Sequence, residues 1–524
     1  MLKKVVIIGS GFSGLSAACF MAKEGWEVIV LEKQSAPGGR ARQLKEKGFS
    51  FDMGPSWYWM PDVFDRFFKC FGKEVSDYYQ LKRLDPSYKI YWSQGEMDIP
   101  ANYEELRNLF ESVEVGSAVK LDEFIKEAAY KYKVGINKLV HKPGQSLTEF
   151  ADWEVVKGVF KLDVFTSMKK HVARFFSNEK LQQLLEFPVL FLGALPEDTP
   201  ALYSLMNYAD IKLGTWYPKG GMYRIVCGMY ELAVELGVKF NFNCNVKNID
   251  IQNGVASSVI AETVNVNKEI VKSVFTADVI IGSADYHFIE TKLLPLKYQS
   301  YTENYWNSRV MAPSCLLYYV GLNKKLKNVL HHTLFFDVSF DVHGKEIYTT
   351  PKWPDKPLFY VSVTSVTDDN VAPEGCENLF FLIPVATGLN GDTEELRDRY
   401  FEDILKRYET RIGQSVSDAI IYKKSYSINN FKEDYNAFKG NAYGLANTLL
   451  QTAVLKPGCR SKKVKNLFYT GQLTVPGPGV PPSLISGEVV AKEVIKHFSF
   501  QVNKNYKYLS RIIKCPTEMR CFTI

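Results

Sequence analysis

The chain of 524 residues lacks the residue patterns that hold metals and disulfide frameworks together. Its nine cysteines are scattered singly without a Cys-x-x-Cys pair, and its seven histidines form no cluster with ligand spacing. Metal sites need such close spacing, and disulfide-rich folds need many cysteines in a short chain. We therefore expect neither a metal site nor a disulfide framework.

Long apolar runs are also missing. No stretch reaches the roughly 18 uninterrupted apolar residues that indicate a membrane-spanning helix. The Lys3-Lys4 pair and the apolar run after it imitate a signal peptide, but the glycine spacing that follows is typical of another element. We expect a protein that is soluble or associated with a membrane surface.

The chain has little excess charge and no arrangement of Ser, His and Asp or of Cys and His for nucleophilic catalysis. The net charge of +6 comes from 64 basic and 58 acidic residues, which is too small an excess to indicate nucleic acid as a partner. With 46% hydrophobic residues and no internal repeat, the chain is long enough for two or more domains with a large core.

A glycine motif near the start, Gly9-x-Gly11-x-x-Gly14, lies between a predicted strand and a predicted helix. The residues from Val5 to Ile8 favour a strand, and those from Leu15 to Lys23 favour a helix. In this setting Gly9 permits the tight turn, Gly11 lets the backbone approach a pyrophosphate, and Gly14 lets helix and strand pack closely. The motif therefore predicts a dinucleotide site.

Glu32 follows a second apolar run, Glu27 to Leu31, and lies 18 positions beyond Gly14. A carboxylate about 20 positions after the glycines binds the ribose hydroxyls of a dinucleotide, and its charge repels the extra phosphate of NADP. The spacing indicates a cofactor without that phosphate.

The segment Gly38-Gly39-Arg40-Ala-Arg42 follows this acid directly. Its two glycines allow positive φ, and its arginines can reach phosphate oxygens. Such a segment resembles the FAD-binding region of the flavin amine oxidase and carotenoid desaturase superfamily, and this resemblance implies FAD rather than NAD.

A second glycine block lies near the end of the chain. Thr470-Gly471-Gln472 is followed by the turn Pro476-Gly-Pro-Gly-Val-Pro481, and the whole block closely resembles the C-terminal signature of bacterial-type phytoene desaturases. Phe51-Asp52-Met-Gly54-Pro55 matches a further segment of that family. The resemblance covers nearly the whole chain.

The resemblance implies one FAD site built from both ends of the chain. Val246 would face the adenine, the turn from Gly477 to Pro481 would pass under the flavin ring, and a helix starting near Pro482 would aim its positive end at the flavin. Gln472 stands where many flavoproteins place an acid for the ribityl chain. The implied cofactor residues are Gly9, Gly11, Phe12, Ser13, Gly14, Glu32, Gly39, Arg40, Gly54, Pro55, Ser56, Val246, Gly471, Gln472, Gly479, Val480 and Pro481.

The order of the motifs predicts an α/β fold with an interrupted domain. We expect a Rossmann-like FAD-binding domain of amine-oxidase type in residues 1–80, 217–290 and 460–500. A helical cap or membrane-associated region is expected in 81–216, a mixed-sheet substrate-binding domain in 291–459, and a C-terminal extension in 501–524.

The family resemblance implies an FAD-dependent desaturase that converts 15-cis-phytoene stepwise to lycopene in carotenoid biosynthesis. A hydride would leave an allylic carbon for flavin N5, and a base would take the neighbouring proton. Glu149 lies near a position where some relatives carry an acid for proton transfer, so it is the predicted base. The alternative is that Glu149 belongs to the polar start of a helix.

The predicted partners follow from the apolar substrate. They are a C40 carotenoid, phytoene; a membrane surface, in which that substrate dissolves; and oxygen or a quinone as the electron acceptor. We expect a cytoplasmic protein, peripheral to the inner face of the cell membrane, and leave its oligomeric state open.

Several other functions remain open from the sequence. The first is desaturation of another carotenoid, such as the 3,4-desaturation of a hydroxylated one. An FAD-dependent carotenoid isomerase or saturase shares the same motifs, as does an amine oxidase. A non-enzymatic prenyl-lipid carrier of the GDI type shares a related fold without flavin binding.

Overall fold

The computed structural model describes residues 2–146, 149, 162–190, 193–264 and 268–512, with the backbone alone for 264, 449 and 500–512. Within these ranges the α-helices are α1 (Phe12–Lys23), α2 (Pro61–Lys69), α3 (Tyr103–Val113), α4 (Ser117–Val134), α5 (Met168–Phe175), α6 (Glu179–Leu190), α7 (Leu205–Tyr208), α8 (Tyr223–Glu235), α9 (Tyr286–Phe288), α10 (Glu303–Asn307), α11 (Phe340–Tyr348), α12 (Glu394–Ile412), α13 (Ile428–Tyr435) and α14 (Val480–Ile512).

The strands form two larger sheets, one three-stranded sheet and two short ribbons. They are β1 (Lys4–Ile8), β2 (Glu27–Leu31), β3 (Gln43–Glu46), β4 (Phe49–Asp52), β5 (Leu81–Arg83), β6 (Tyr88–Trp92), β7 (Glu96–Ile99), β8 (Trp216–Pro218), β9 (Lys239–Asn241), β10 (Cys244–Gln252), β11 (Val255–Val264), β12 (Ile270–Thr276), β13 (Val279–Gly282), β14 (Ser314–Leu322), β15 (His332–Phe336), β16 (Phe359–Ser362), β17 (Glu377–Val385), β18 (Ile420–Tyr426) and β19 (Leu467–Tyr469).

The first large sheet is parallel and has the order β19-β13-β1-β2-β9. The four residues of β1 from Val5 to Ile8 are buried, as expected for a parallel strand covered on both faces. Helix α1 packs closely against α14, since a Cβ at Gly487 would come within 2.3 Å of the carbonyl oxygen of Ser13. The two ends of the chain therefore form one layer of the fold, with the three-stranded antiparallel sheet β10-β11-β12 beside it.

The second large sheet is mixed and has the order β18-β14-β17-β16-β15-β6-β7. All of its pairs are antiparallel except β15 with β6. Helix α12 covers one face of this sheet, with Tyr400, Phe401 and Ile404 packed against β14 and β17 side chains. Helix α12 begins at the capping side chain of Thr393 and ends at Gly413 in the left-handed region.

The structure corrects the predicted boundary of the helical region 81–216. Residues 88–99 form β6 and β7 of the mixed sheet, because Tyr88, Ile90, Tyr91 and Trp92 are aromatic and β-branched residues that suit a buried strand. Helices of this region begin only at Tyr103.

Between the parallel and the three-stranded sheet, Asn243 has a φ of 51° that breaks the extended chain, so β9 joins the parallel sheet and β10 starts the three-stranded one. One further boundary differs from the predictions. The extension predicted to begin at 501 continues α14 as far as Ile512. No helix in the described ranges combines the length and apolar character that crossing a bilayer requires.

Candidate functional site

One cavity opens at the carboxyl ends of the parallel strands and extends to the mixed sheet. Its volume is about 370 Å³, within the range of roughly 300–1,000 Å³ that is usual for small-molecule sites. Strand β1 lies between β13 and β2, so the chain leaves β1 and β13 toward opposite edges of the sheet. Ligands of open α/β sheets bind at such a switch point.

The structure brings all the predicted cofactor residues except Gly14 to the wall of this cavity. Gly14 lies behind the wall, where a Cβ would come within 2.2 Å of the carbonyl oxygen of Gly9. It therefore has the predicted packing role. The lining residues are Gly9, Gly11, Phe12, Ser13, Glu32, Gly39, Arg40, Gly54, Pro55, Ser56, Val246, Gly471, Gln472, Gly479, Val480 and Pro481.

The first glycine turn leaves room for a ligand. Gly9 has a φ of 99°, which favours glycine, while a Cβ at Gly11 would meet no atom within 4 Å. Gly11 is the N-cap of α1, and Phe12 and Ser13 of the first turn line the cavity. The free amides and the positive end of α1 are therefore placed to bind a phosphate group.

Glu32 is buried, and its carboxylate is held by the chain. One oxygen accepts hydrogen bonds from the amide (2.8 Å) and the hydroxyl (2.7 Å) of Ser10, and the other accepts from the amide of Gln34 at 2.8 Å. A carboxylate has about four lone-pair positions, so one is left to accept from a ribose hydroxyl.

Arg40 places a guanidinium group in the cavity wall. Its Nη2 donates to the carbonyl oxygen of Asn441 at 3.2 Å, and its Nε is buried without a hydrogen-bond partner in the described part of the chain. Gln472 donates to the side chain of the same Asn441 at 2.9 Å. Arg42, which the sequence also placed near the phosphates, instead donates to Gln34 at 2.7 Å and pairs with Asp434.

These groups fit FAD. The unpartnered Nε of Arg40 and the amides of α1 are donors for a pyrophosphate, Glu32 retains an acceptor for a ribose, and Gly11 leaves space for the phosphates to approach.

The second glycine block is anchored to α14. The amide of Gly471 donates to Oγ of Ser486 at 3.0 Å, and Oγ1 of Thr470 is 2.9 Å from the same oxygen. Gly479 has a φ of 110°, and the residues that follow it begin α14 at the cavity wall. The positive end of α14 therefore also faces the cavity.

The end of the cavity beside the mixed sheet is apolar. Sequence patterns do not single out these residues, because four of them lie on strands β14, β16 and β17 and look like ordinary core residues. Trp57 and Trp59, directly after the Gly54-Pro55-Ser56 segment, were the available signal. The residues of this apolar end are Trp57, Trp59, Met60, Met206, Cys315, Leu317, Tyr360, Leu382, Ala442 and Tyr443.

The polar groups at the apolar end are neutral. Burial raises the pKa of the Cys315 thiol to about 12 and keeps the pKa of the Tyr443 hydroxyl well above its usual value. The hydroxyl of Tyr360 lies 2.6 Å from Nδ1 of His332, a histidine whose pKa burial holds well below its usual range. The ring of Trp57 stacks on His332 with centroids 4.2 Å apart. This end suits an uncharged, extended molecule.

Glu149, the predicted base, is not among the residues that line the cavity. Its carboxylate accepts hydrogen bonds from the amides of Gly144 (2.9 Å) and Gln145 (3.2 Å). The residues that would form the helix of the alternative, 150–161, lie outside the described residues. Thr148 and Asp152, which flank Glu149, lie outside the described residues.

Comparison with known proteins agrees with this site. The family model described as flavin containing amine oxidoreductase matches residues 12–495. The chain is 40% identical over 494 residues to a carotenoid 3,4-desaturase of Haloarcula japonica, covering 94% of this chain and 98% of that protein. It is 29% identical to the zeta-carotene-forming phytoene desaturase of Myxococcus xanthus, covering 94% of each. It is 30% identical to a 4,4'-diapophytoene desaturase of Staphylococcus aureus, covering 94% and 99%.

Solved structures with the same fold are more distant in sequence. An oxidoreductase of Methanosarcina mazei superposes with a TM-score of 0.58 at 16% identity, covering 93% of this chain and all of that one. A Rab GDI of Plasmodium falciparum superposes with a TM-score of 0.52 at 11% identity, covering 95% and 98%. At these identities the likeness concerns the fold alone.

Proposed function

The chain belongs to the flavin-containing amine oxidoreductases and, within them, to the carotenoid desaturases, and from this premise we propose that it desaturates a carotenoid other than phytoene. The 3,4-desaturation of a carotenoid that already carries conjugated double bonds is the reaction we assign to it. The observation that supports this assignment is the sequence identity of 40% to a carotenoid 3,4-desaturase. The identity to the relatives named as phytoene and diapophytoene desaturases is 29% and 30%.

FAD is the cofactor of this family, and when bound it supplies the oxidation by accepting a hydride from an allylic carbon. The chain's own residues bind and orient it. Glu32 accepts from a ribose, Arg40 and the amides of α1 bind the pyrophosphate, and the turn before α14 supports the flavin end.

The apolar end of the cavity supports a hydrocarbon substrate. Its aromatic and aliphatic walls exclude water, and its thiol and hydroxyl groups are neutral, so an uncharged polyene meets no buried ion there. The hydroxyl of Tyr360, hydrogen-bonded to His332, gives this end one fixed polar group. A hydroxyl on the end group of a carotenoid could bind to such a group.

We also propose that the protein works at a membrane surface, as a cytoplasmic protein on the inner face of the cell membrane. The carotenoid dissolves in the bilayer, and the electrons leave to oxygen or a quinone. Phe165 supports this proposal, because 81% of its surface is exposed and Lys169 and Lys170 follow it closely in the chain.

The test is expression in two hosts, one accumulating phytoene and one accumulating lycopene or its hydroxylated derivatives, followed by pigment extraction and chromatography. We expect unchanged phytoene in the first host and, in the second, products whose absorption maxima lie at longer wavelength because the conjugated chain has lengthened. A Gly11→Val variant, in which the side chain fills the cofactor space, is the matched control and should leave both pigment sets unchanged.

Other outcomes decide against this proposal. Formation of red lycopene in the first host would instead establish the predicted conversion of 15-cis-phytoene. Products of unchanged hydrogen content would indicate an isomerase, and absence of any change with FAD bound would contradict both desaturase assignments.

A further inference from the structure

Lys456 is a buried lysine directly behind the turn that carries the second glycine block. Only 5% of its surface is exposed, and its Nζ donates to Oδ1 of Asn447 at 2.9 Å. A Cβ at Gly477 would come within 2.8 Å of Nζ and within 3.0 Å of Oδ1 of Asn447. The ammonium group therefore touches the backbone of the turn.

No carboxylate compensates this charge. In the described part of the chain no ion pair reaches Lys456, and burial alone lowers the pKa of its ammonium to about 7. Lys131 is equally buried but pairs with Asp163 at 3.0 Å. The charged form of a buried lysine without a paired carboxylate is costly, and a negative charge that appears nearby offsets part of that cost and favours the protonated form.

The turn places Lys456 close to the cavity. Gly477 is followed by Pro478 and Gly479, which line the cavity, and α14 starts at Val480. Because successive Cα atoms are about 3.8 Å apart, Nζ lies within roughly 10 Å of the cavity wall. The positive end of α14 faces the same part of the cavity, so two sources of positive potential converge there.

We propose that Lys456 raises the reduction potential of the bound FAD by stabilising the negative charge that the flavin gains when it is reduced. A hydride brings two electrons and one proton, so the neutral ring system becomes an anion with one negative charge. The carotenoid is the reductant, and the electrons leave later to the acceptor. The inference rests on FAD binding and not on which carotenoid is oxidised.

The experiment measures the reduction potential of the purified holoprotein without carotenoid, by equilibration with a reference dye under anaerobic conditions. Lys456→Gln removes the charge but keeps an amide that can bind Asn447, and Lys456→Met removes both. Lys239→Met is the matched control, because it removes one positive charge from the exposed edge of the same domain, where Lys239 pairs with Glu27.

In both Lys456 variants we expect the equilibrium constant for reduction of FAD to fall at least about tenfold. For a two-electron couple this lowers the reduction potential by about 30 mV. The Lys239 variant should keep the wild-type potential. A wild-type potential in Lys456→Gln, or an equal shift in Lys239→Met, would overturn the proposal. If Lys456→Gln melts like the wild-type apoprotein but retains no FAD, Lys456 serves cofactor binding instead, which also overturns it.

Discussion

At the scale of single residues, the polar groups of the flavin site are already oriented by the chain's own hydrogen bonds. Ser10 and Gln34 hold the carboxylate of Glu32, and Asn441 holds both Arg40 and Gln472. Groups fixed in this way lose little conformational entropy when a ligand binds. Each of them should therefore contribute its full interaction to FAD affinity.

Glu32→Gln tests this contribution. The variant loses a charged acceptor, and a hydrogen bond to a charged group contributes about 1.5–3 kcal/mol, so we expect the Kd for FAD to rise roughly 10-fold to 100-fold. Titration of the apoprotein with FAD, followed by flavin fluorescence, measures this change. Glu27→Gln, at the far end of the strand β2 that precedes Glu32, should bind FAD like the wild type. An unchanged Kd in Glu32→Gln would contradict the assigned role.

His343 makes the stability of the protein depend on pH. Its Nδ1 accepts from the amide of Leu358 at 3.0 Å, and its Nε2 lies 2.9 Å from the carbonyl oxygen of Pro384, so the neutral ring satisfies both groups. Burial lowers the pKa of His343 to about 4 from the usual 6.5. Between these values the unfolded chain binds more protons, so the free energy of unfolding falls as pH drops from 6.5 to 4.

Well between these two pKa values, this one histidine makes the free energy of unfolding fall by about 1.4 kcal/mol for each pH unit. Urea unfolding at pH 7 and pH 5 measures how the free energy of unfolding changes, and His343→Asn should reduce that change by about 2 kcal/mol. Lys345→Ala on the same helix should keep the wild-type slope. Identical slopes for His343→Asn and the wild type would show that the ring is not neutral in the folded protein.

Residue types and spacing in the sequence predicted the polar half of the site but not its apolar half. Glu32 and the glycines stand out because each has a conformation or charge that few residues supply. Tyr360 lies on β16 and reaches Trp57 only because β16 pairs within the mixed sheet. In the sequence, an aromatic residue in a strand looks like any core residue. Lys456 gives no signal in the sequence, since its burial depends on the distant turn at Gly477.

At the scale of elements, the two ends of the chain meet where α1 packs on α14 and β1. Gly14 and Gly11 are one turn apart but have different surroundings. A Cβ at Gly14 would come within 2.2 Å of a backbone oxygen, whereas one at Gly11 would meet nothing within 4 Å. Gly14 therefore serves packing, and Gly11 leaves space for the ligand.

Substitution by alanine separates these two roles. Gly14→Ala should lower the free energy of unfolding of the apoprotein by about 1–3 kcal/mol or more, because backbone must move. Gly11→Ala should leave the melting temperature of the apoprotein unchanged and weaken FAD binding at least about tenfold. Thermal melting of both apoproteins and titration with FAD provide the comparison, and a destabilised Gly11→Ala apoprotein would contradict it.

Elements with strong local signals were predicted with good bounds, and those decided by distant pairing were not. β1, α1 and β2 have the predicted order and nearly the predicted bounds. β6 and β7 were assigned to a helical region, because their partner β15 lies more than 200 residues later in the chain. Later in the same region, where helices were expected, α5 is present from Met168 to Phe175.

At the scale of the whole molecule, the proposed membrane contact predicts a specific change in lipid binding. Phe165→Ser with Lys170→Ser should reduce co-flotation with anionic liposomes roughly tenfold, because burying a phenylalanine side chain contributes about 1.5–3 kcal/mol. Leu296→Ser is the control. Leu296 lies outside the helical region and 83% of its surface is exposed, so this variant loses an exposed apolar side chain and should still bind liposomes like the wild type. Equal binding by all three proteins would exclude this surface.

The parallel sheet is assembled from strands at both ends of the chain, and this order has a consequence for biosynthesis. At a rate of roughly 5–20 residues per second, a ribosome needs tens of seconds to synthesise the chain between Glu32 and Gly471. During that time the part of the site that contains Glu32 exists without the turn at 476–481, and β13, the neighbour of β1, is made only in the second half of that interval. FAD can therefore be captured only after this turn and the start of α14 have been made, and until then the early strands depend on chaperones or on their own solubility to avoid pairing with other nascent chains.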